Sequence, residues 1–358
     1  MKNPGDAGNN IYPLTGIRGL AAIWVVLYHY RFAIQQNYPD WGALHRFIFS
    51  GYLGVDLFAF LSGFIISYTY CGRMKRFDVR NTGHFLWLRF VRTYPLHLFA
   101  LALFVVVFVQ KRGAGSLPVI FYDGSFLRQL FLVNGVGLET EWRWNVPSWS
   151  LSSEWLCYLF FPGFALVMEK IRNGYIHFLL AVIMICTAAW LMWAVGFPRF
   201  DTFLEWGFVR IVCEFLAGCW LFGVYRSGVF NGYLSAWSGL IALAGILIMP
   251  ALFPGMPVII TITLFAMLVY ALSLNMSPLT KLFGNRLMIY LGEISYSIYM
   301  LHWLILSNLG LFGFMELPLN IRIWAVLGTI IIGSALTYHF VENTSRKYLR
   351  GIFRYNFS

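Results

Sequence analysis

The chain alternates between long apolar runs and short polar connections, and ten of the runs are long enough to be membrane-spanning helices. A helix that crosses the hydrocarbon core of a bilayer needs about 20 predominantly apolar residues. Because most connections are short, consecutive helices must lie side by side in the same bilayer. The pattern predicts an all-α fold, a polytopic transmembrane helix bundle that forms one domain over 1–358. The predicted spans lie near 13–34, 51–70, 84–109, 148–168, 174–195, 206–225, 233–252, 257–276, 287–310 and 320–341.

One further apolar segment, 126–136, is too short to span a membrane. The sequence leaves two alternatives for it. The segment is either re-entrant, entering and leaving the bilayer from one side, or it lies in the membrane interface.

Composition agrees with the pattern. The chain is 59% hydrophobic and 11% charged, whereas soluble domains average about 25% charged residues. The net charge of +11 raises the question of a nucleic-acid partner. We predict none, because the basic residues lie mostly in short loops between spans, where they determine topology. The five cysteines lie in or beside apolar runs, so we expect neither a disulfide framework nor a metal site.

The lysines and arginines also predict an orientation. With ten spans and the N-terminus inside, seventeen of the 26 fall on the inner side and nine on the outer side. This excess is typical of the cytoplasmic side, so both termini are predicted to be cytoplasmic.

Two ionisable residues share one face of the first span. Arg18 and His29 are eleven positions apart, which returns the helix to within about 20° of the same direction and separates the residues by roughly 16 Å along the axis. An ionisable residue inside a membrane is functional by default. The alternative is an arginine that snorkels to the interface and a histidine bonded to a neighbouring helix. Snorkelling explains Arg18, but His29 lies too deep to reach water.

Three other spans carry ionisable residues at a similar predicted depth. Asp56, Glu154 and His302 join His29 about two-thirds of the way from the inner face, at a rise of 1.5 Å per residue. The sequence therefore predicts one polar cavity shared by all four. For Asp56 and His302, hydrogen bonding between helices explains the residue as well as catalysis does.

A second group is cationic. Arg89 and Arg92 are three positions apart, so they share a helix face at the inner mouth of the third span, near the level of Arg18. Anchoring by the positive-inside rule explains the pair equally well. Arginines also bind phosphates through paired, charge-assisted hydrogen bonds, and a histidine such as His29 is the commonest general base. A ligand with phosphates at one end and a reactive group at the other fits this spacing. Acyl-coenzyme A has that shape, but a phosphorylated lipid would also satisfy the inner arginines.

The chain resembles the acyltransferase-3 family of multispan membrane O-acyltransferases. The family's arginine-to-histidine spacing falls on Arg18 and His29, and its paired arginines fall on Arg89 and Arg92. Its Trp-Ser-Leu-Ser-x-Glu element falls on 149–154, and its Ser-Tyr-Ser-x-Tyr-x-x-His element falls on 295–302. The resemblance covers 14–29, 51–64, 89–95, 147–162 and 291–302, in the family's order.

The resemblance implies transfer of an acyl group, usually acetyl, from cytoplasmic acyl-coenzyme A to a hydroxyl of an extracytoplasmic acceptor. Family acceptors are mostly sugars of lipopolysaccharide, exopolysaccharide or peptidoglycan, some of them lipid-linked, and some are small metabolites. The implied location is the bacterial cytoplasmic (inner) membrane, among its lipids. Acetyl-coenzyme A is then a co-substrate, and no permanently bound cofactor is expected.

We expect Arg18, Arg89 and Arg92 to bind the acyl-coenzyme A and His29 to act as general base. Glu154 would then orient or charge His29, or bind the acceptor. Direct transfer and an acyl-histidine intermediate both remain open. Secondary candidates for the site are Asp56, Trp149, Ser150, Tyr158, Tyr296 and His302.

The chain departs from the family pattern in two places that matter here. Trp155 stands where many members have a second acidic residue, and the last span ends Glu342-Asn343-Thr344 instead of Glu-x-Pro. A soluble hydrolase-like domain, fused in some relatives, is expected to be absent. Two other functions are weighed. A transporter of solutes or acyl groups would use the same charges, but it predicts internal repeats and broken helices, and the sequence shows neither. A scaffold protein would leave His29 and Glu154 without a purpose.

Overall fold

The computed structural model describes residues 11–113, 115, 120, 124–138, 143–196, 200–253 and 258–354, without the side chains of 200–205, 258 and 352–354. Every regular element among these residues is helical. The helices are α1 (Tyr12–His29), α2 (Arg31–Asn37), α3 (Gly42–Phe49), α4 (Leu53–Tyr70), α5 (Val79–Arg112), α6 (Gly124–Leu130), α7 (Ser148–Lys170), α8 (Gly174–Ala194), α9 (Phe200–Ser227), α10 (Tyr233–Leu252), α11 (Val258–Ser273), α12 (Pro278–Phe283), α13 (Arg286–Leu306), α14 (Leu319–Thr337) and α15 (Thr344–Arg354), with a π-helical segment, Tyr338–Asn343, between α14 and α15.

Each predicted span corresponds to a helix, but the helices differ in length. Eight helices in the described residues are long and apolar enough to cross a membrane, and α1 with α2 makes a ninth if the two count as one bent span. Helix α11, with 16 residues, is shorter than the other helices that correspond to predicted spans. The protein is therefore an integral membrane protein, while the count of ten spans and the cytoplasmic termini stay predictions.

The first span does not continue straight to residue 34 as predicted. The chain bends by 69° between α1 and α2, so His29 is the last residue of the membrane helix. Arg31 follows at once. Its guanidinium donates to the carbonyl of Tyr28 (2.7 Å) and lies 4.1 Å from the centre of the Tyr28 ring. These contacts hold Arg31 half-buried against the end of α1, directly after the bend.

Glycines bring two pairs of helices into close contact. A Cβ built on Gly19 of α1 would lie 2.6 Å from the Cβ of Leu291 on α13, so only glycine allows this approach. In the same way, a Cβ on Gly63 of α4 would meet the backbone oxygen of Phe215 on α9. Helices in membranes commonly associate through such small residues. The first contact brings α1 beside His302, and the second brings α4 beside α9.

Residues 124–138 form a short helix and turns that insert between α5 and α7. The hydroxyl of Tyr94 donates to the carbonyl of Leu130 (2.6 Å), and Nε2 of His97 bonds the carbonyl of Gln129 (2.8 Å). Tyr94 lies eighteen residues before Arg112, the end of α5, which is about 27 Å along the helix. The segment thus reaches the middle of α5, which favours the re-entrant alternative over the interfacial one.

Helix α7 begins against the re-entrant segment instead of at the outer surface. The Ser148 hydroxyl donates to Oε1 of Gln129 (2.7 Å) and accepts from Nδ2 of Asn134 (2.9 Å). The Ser152 hydroxyl donates to the carbonyl of Leu132 (2.6 Å). These bonds satisfy polar groups that have no access to water, as a membrane interior requires. They explain the serine-rich start of α7.

A buried ion-pair triad joins α4 to α9. Nη2 of Arg210 lies 3.0 Å from Oδ1 of Asp56, and its Nε lies 3.9 Å from Oε1 of Glu214. All three side chains are buried, Arg210 and Glu214 being one helical turn apart. A buried cation with two carboxylates is stable only as a group, because removal of one member leaves an uncompensated charge. This contact accounts for Asp56 as a structural residue.

Candidate active site

A narrow cavity of about 130 Å³ lies inside the bundle, between α1, α4, α5, α7 and α13. We call it the arginine cavity. Its described charged lining residues are three arginines and one glutamate, which give it a net charge of +2. The remaining polar lining is supplied by hydroxyl groups. The lining residues used below are Arg18, Phe58, Ser62, Arg89, Arg92, Ser150, Glu154, Tyr158, Tyr296 and Tyr299.

Helix α5 supplies two of the arginines. Arg89 donates from Nη2 to the hydroxyl of Tyr70 (2.8 Å), while its Nε is buried without a hydrogen-bond partner in the described residues. Arg92 follows three residues later, on the same face. Pro95 comes next and removes one backbone donor from α5. Separately, the carbonyl of Thr93 accepts from the hydroxyl of Tyr296 (2.7 Å).

Arg92 is paired with a carboxylate that the sequence reasoning did not place in the site. Its Nη1 donates to Oε1 of Glu342, which also accepts from Arg346. The other carboxylate oxygen accepts from the hydroxyl of Ser297 (2.9 Å). Glu342 is 2% exposed and lies in the π-helical segment. π-Helical turns are frequent at functional sites, and here the turn carries a carboxylate that faces the bundle interior.

Arg18 differs from the other two arginines. Within the part of the chain that the structure describes, it forms no hydrogen bond and no ion pair. The charges of Arg92, Glu154 and Glu342 all act on it. A cation held in a cavity without a partner favours an anionic ligand, since burying a charge costs free energy unless it is paired.

Glu154 lies in the arginine cavity, on the side formed by α4 and α7. The hydroxyl of Ser62 donates to its Oε1. Tyr158, one turn further along α7, lies 3.5 Å from the same Ser62 hydroxyl. Trp155 points elsewhere and donates from Nε1 to the hydroxyl of Thr93 (3.1 Å). Of the two neighbouring positions, 154 and 155, only the first therefore faces the cavity.

His29 and His302 form a pair beyond the cavity, toward the predicted outer side. Nδ1 of His29 lies 3.2 Å from Nε2 of His302, and the ring centres are 5.0 Å apart. Nδ1 of His302 lies 2.7 Å from the carbonyl of Tyr299 and 3.2 Å from that of Ile298. Carbonyl oxygens only accept, so Nδ1 of His302 carries its proton and its Nε2 is an acceptor.

The tautomer of His29 follows from that assignment. Its Nδ1 faces two acceptors, Nε2 of His302 and the carbonyl of Val25 at 3.0 Å. Nδ1 must therefore carry the proton, which leaves the lone pair on Nε2. A neutral histidine held with a free Nε2 lone pair is in the form that a general base requires. His302 fixes this form by accepting the hydrogen of Nδ1, as a carboxylate does for the catalytic histidine of many enzymes.

Tyr299 stands between the arginine cavity and the histidine pair. It lines the cavity, and its hydroxyl donates to the carbonyl of Pro147 (2.9 Å) and lies 2.7 Å from the hydroxyl of Ser150. Its ring centre is 5.8 Å from that of His302 and 5.9 Å from that of Phe58. Tyr299 therefore contacts both the arginine cavity and His302.

The prediction of one polar cavity shared by four residues is wrong. Glu154 lies with the arginines, Asp56 pairs with Arg210, and only His29 and His302 are together. The position of a residue along its own helix gives its depth in the membrane, but it does not specify which faces of neighbouring helices meet. Glu154 therefore does not orient His29, and His302 takes that position.

Of the other secondary candidates, three line the arginine cavity and one packs between helices outside it. Tyr158, Tyr296 and Ser150 line the cavity. Trp149 is buried and does not line it; a Cβ on Gly207 of α9 would lie 2.8 Å from the Trp149 ring. Trp149 is thus a packing residue between α7 and α9.

Several residues of the site and its support escaped the sequence reasoning, although the sequence held a signal for most of them. Arg210 and Glu214 are opposite charges four positions apart within an apolar span, and Glu342 is an acid at the end of another. Tyr299 belongs to the Ser-Tyr-Ser-x-Tyr-x-x-His element on 295–302. Ser62 carries no signal, because hydroxyl groups are common in membrane helices.

The helices and the arginine cavity define the class of the protein as an integral membrane protein with a cationic site inside its helix bundle. The comparison with known families is more specific. The chain belongs to the acyltransferase-3 family, whose model, described as "Acyltransferase domain", matches residues 11–339.

Individual relatives agree with this assignment. The chain is 26% identical over 318 residues to the acyltransferase MdmB of Streptomyces mycarofaciens, with 82% of this chain and 78% of the relative covered. It is 23% identical over 366 residues to the peptidoglycan O-acetyltransferase OatA of Listeria monocytogenes, where the match spans 93% of this chain and 55% of the relative. A third match, 40% identical, covers 27% of this chain and 44% of protein 2 in the picA locus of Rhizobium radiobacter. No solved structure matches the chain.

Proposed function

We propose that the protein moves an acyl group, acetyl in the simplest case, from cytoplasmic acyl-coenzyme A to a hydroxyl of an extracytoplasmic glycan. The observation that carries the proposal is the spatial order of these side chains along the helix bundle. Three arginines line a cavity, Tyr299 lies between the cavity and His302, and His29, with a fixed lone pair, lies next to His302. Acyl-coenzyme A has phosphates at one end and a thioester at the other, which matches this order.

In this proposal the arginine cavity binds the donor. Arg18 and Nε of Arg89 lack partners in the described residues, and they would pair with phosphate oxygens. Arg92 stays bonded to Glu342 and gives the cavity a fixed positive wall. Glu154 would not bind phosphate. It would keep the guanidinium of Arg18 directed into the cavity.

The chemical step is a direct transfer in which His29 acts twice. Nε2 of His29 takes the proton of the acceptor hydroxyl as the oxygen attacks the thioester carbonyl, and a carbon–oxygen bond forms. The carbon–sulfur bond then breaks, and the protonated His29 returns the proton to the departing thiolate. His302 accepts the hydrogen of Nδ1 throughout and stabilises the positive charge of His29. Loss of such a general base typically lowers the rate by about 10²–10⁴-fold. An acyl-histidine intermediate would use the same Nε2 lone pair.

The acceptor and the membrane are inferred by similarity. The relative named peptidoglycan O-acetyltransferase acts, by its name, on a glycan. We therefore propose a cell-surface or exported glycan, free or lipid-linked, and the bacterial cytoplasmic membrane as the location. Acetyl-coenzyme A is proposed as co-substrate, without a permanently bound cofactor.

The test is a transfer assay with membranes from cells that express the protein. Membranes are incubated with acetyl-coenzyme A labelled in the acetyl group, and label is measured in the glycan fraction. We expect label with the wild type, and at least a hundredfold less with His29→Ala. A matched control is His339→Ala, since His339 is a histidine on the exposed side of the bundle that contacts Tyr290. Equal labelling by wild type and His29→Ala, at equal protein levels, would refute the proposal.

A further inference from the structure

A second opening lies at the end of the bundle opposite Arg89 and Arg92. It has a volume of about 560 Å³ and lies between the end of α5, the turn before α7 and the end of α13. We call it the outer crevice. Lys111 lies nineteen residues beyond Arg92 on α5, which places the two about 29 Å apart along the helix. The residues that matter here are Lys111, Arg112, Arg143, Trp144, Trp303 and Asn308.

The outer crevice leads to the histidine pair. Trp303 lines it and meets His29 edge to face, with ring centres 5.3 Å apart. Trp303 also follows His302 directly in α13. Both Trp303 and His29 are half-buried. A molecule in the crevice therefore lies next to His29, with the Trp303 ring between them.

The charged residues described in the crevice are all cations. Lys111 and Arg112 are exposed, and the guanidinium of Arg112 lies 5.1 Å above the ring of Phe108. In the predicted orientation these cations, with Arg143, are on the outer side, where the positive-inside rule disfavours lysine and arginine. Topology does not explain them. Attraction of an anionic ligand does.

The crevice also presents two indole rings. Trp144 is fixed by a hydrogen bond from Nε1 to the hydroxyl of Ser125 (3.1 Å) and by the ring of Phe126, 5.3 Å away. Trp303 forms the wall next to His29. Indole faces offer a flat apolar surface beside a polar edge, and the C–H face of a sugar ring packs on such a surface. Asn308, buried at the base, is held by the carbonyl of Leu304 (2.7 Å).

We propose that the outer crevice is the acceptor site and that its ligand is a saccharide carrying an anionic group, a carboxylate or a phosphate. The anionic group pairs with Lys111 and Arg112. The sugar ring packs on Trp303 and directs a hydroxyl to His29. The proposal rests on the transfer reaction proposed above and adds the class of acceptor, which neither the fold nor the relatives specify.

Binding without any acyl donor tests the acceptor site separately from the reaction. Saturation-transfer NMR on the full chain in nanodiscs of neutral lipid measures the affinity for four probes. They are glucuronic acid linked to glucose, its neutral counterpart cellobiose, glucose 6-phosphate and glucose. We expect each anionic probe to bind at least tenfold more tightly than its neutral partner. Raising the salt concentration should weaken only the anionic probes. Comparison of the carboxylate probe with the phosphate probe identifies the anionic group that the crevice prefers.

Variants assign the site. The double variant Lys111→Gln with Arg112→Gln should remove the preference for anionic probes, while Trp303→Leu should weaken charged and neutral probes equally. Lys281→Gln, an exposed lysine at the other end of the bundle, is the control and should bind as the wild type. Equal affinity for charged and neutral probes would overturn the proposal. A preference that survives the double variant would do the same. Tighter binding of short-chain phosphatidylglycerol than of the acidic sugar, lost in the double variant, would overturn it in favour of a lipid site. If these bindings hold but no label is transferred, only the transferase proposal fails.

Discussion

Replacing Arg18 and Arg92 by glutamine separates the roles of two arginines that line the same cavity. Arg92 is paired with Glu342, which is 2% exposed. Removing one partner of a buried pair costs about 3–5 kcal/mol, and Arg346 and Ser297 still bond Glu342. We therefore expect Arg92→Gln to lower the free energy of unfolding by about 3 kcal/mol, the low end of that range.

The result for Arg18→Gln should be different. In the described residues Arg18 forms no ion pair, and the like charge of Arg92 repels it. Glutamine removes this repulsion together with the attraction to Glu154 and Glu342. The free energy of unfolding should stay near that of the wild type, because the substitution breaks no hydrogen bond or ion pair within the described residues.

Thermal unfolding of the purified variants, with and without coenzyme A, measures both effects. A ligand at a hundred times its Kd stabilises the folded state by about 2.7 kcal/mol. Wild type should therefore gain stability from coenzyme A. Arg18→Gln should start at the wild-type melting temperature and gain nothing, whereas Arg92→Gln should start lower.

Arg73→Gln serves as the control, because Arg73 is an exposed arginine outside the cavity. It should keep both the melting temperature and the response to coenzyme A. A lower melting temperature for Arg18→Gln with an unchanged response to coenzyme A would refute the reasoning, since Arg18 would then be structural.

Two further predictions concern His302 and Arg210. His302→Ala should lower kcat about tenfold, the equivalent of one hydrogen bond of about 1.4 kcal/mol. His302→Gln should keep most of the activity, because its amide oxygen can accept from Nδ1 of His29. Similar kcat values for both variants would contradict the assigned tautomer. Arg210→Met should abolish the monodisperse peak in size-exclusion chromatography, because it leaves Asp56 and Glu214 buried without a cation, and a folded Arg210→Met protein would show that the triad is dispensable.

The helices were predictable from the sequence because the membrane imposes one strong constraint, an apolar run of about 20 residues. Each predicted run corresponds to a helix. The bend after His29 was not predictable, because apolar residues continue beyond it and the hydrogen bond from Arg31 to the carbonyl of Tyr28 is visible only in the structure. The re-entrant segment was recognised as too short to span, but only its bonds to Tyr94 and His97 show where it lies.

The candidate site was predictable in part. Most of the candidate ionisable residues are recognisable because each is costly in hydrocarbon, and the structure places Arg18 with Arg89 and Arg92 and His29 with His302. The partners were not predictable. Depth along the helices places Glu154 level with His29, yet their contact depends on which helix faces meet. That arrangement depends on close approaches such as Gly19 against Leu291, which the spacing of residues along one helix does not specify.

The most direct test of the proposed function uses sealed vesicles of defined orientation, prepared from cells that express the protein. Labelled acetyl-coenzyme A, which does not cross the membrane, is added outside. In inside-out vesicles the donor meets the predicted cytoplasmic end, with Arg89 and Arg92, and the glycan is enclosed. We predict label in the enclosed glycan of these vesicles, none in right-side-out vesicles, and none with His29→Ala. Labelling of glycan only where donor and glycan share one side would contradict transfer across the bundle from the arginine cavity to His29.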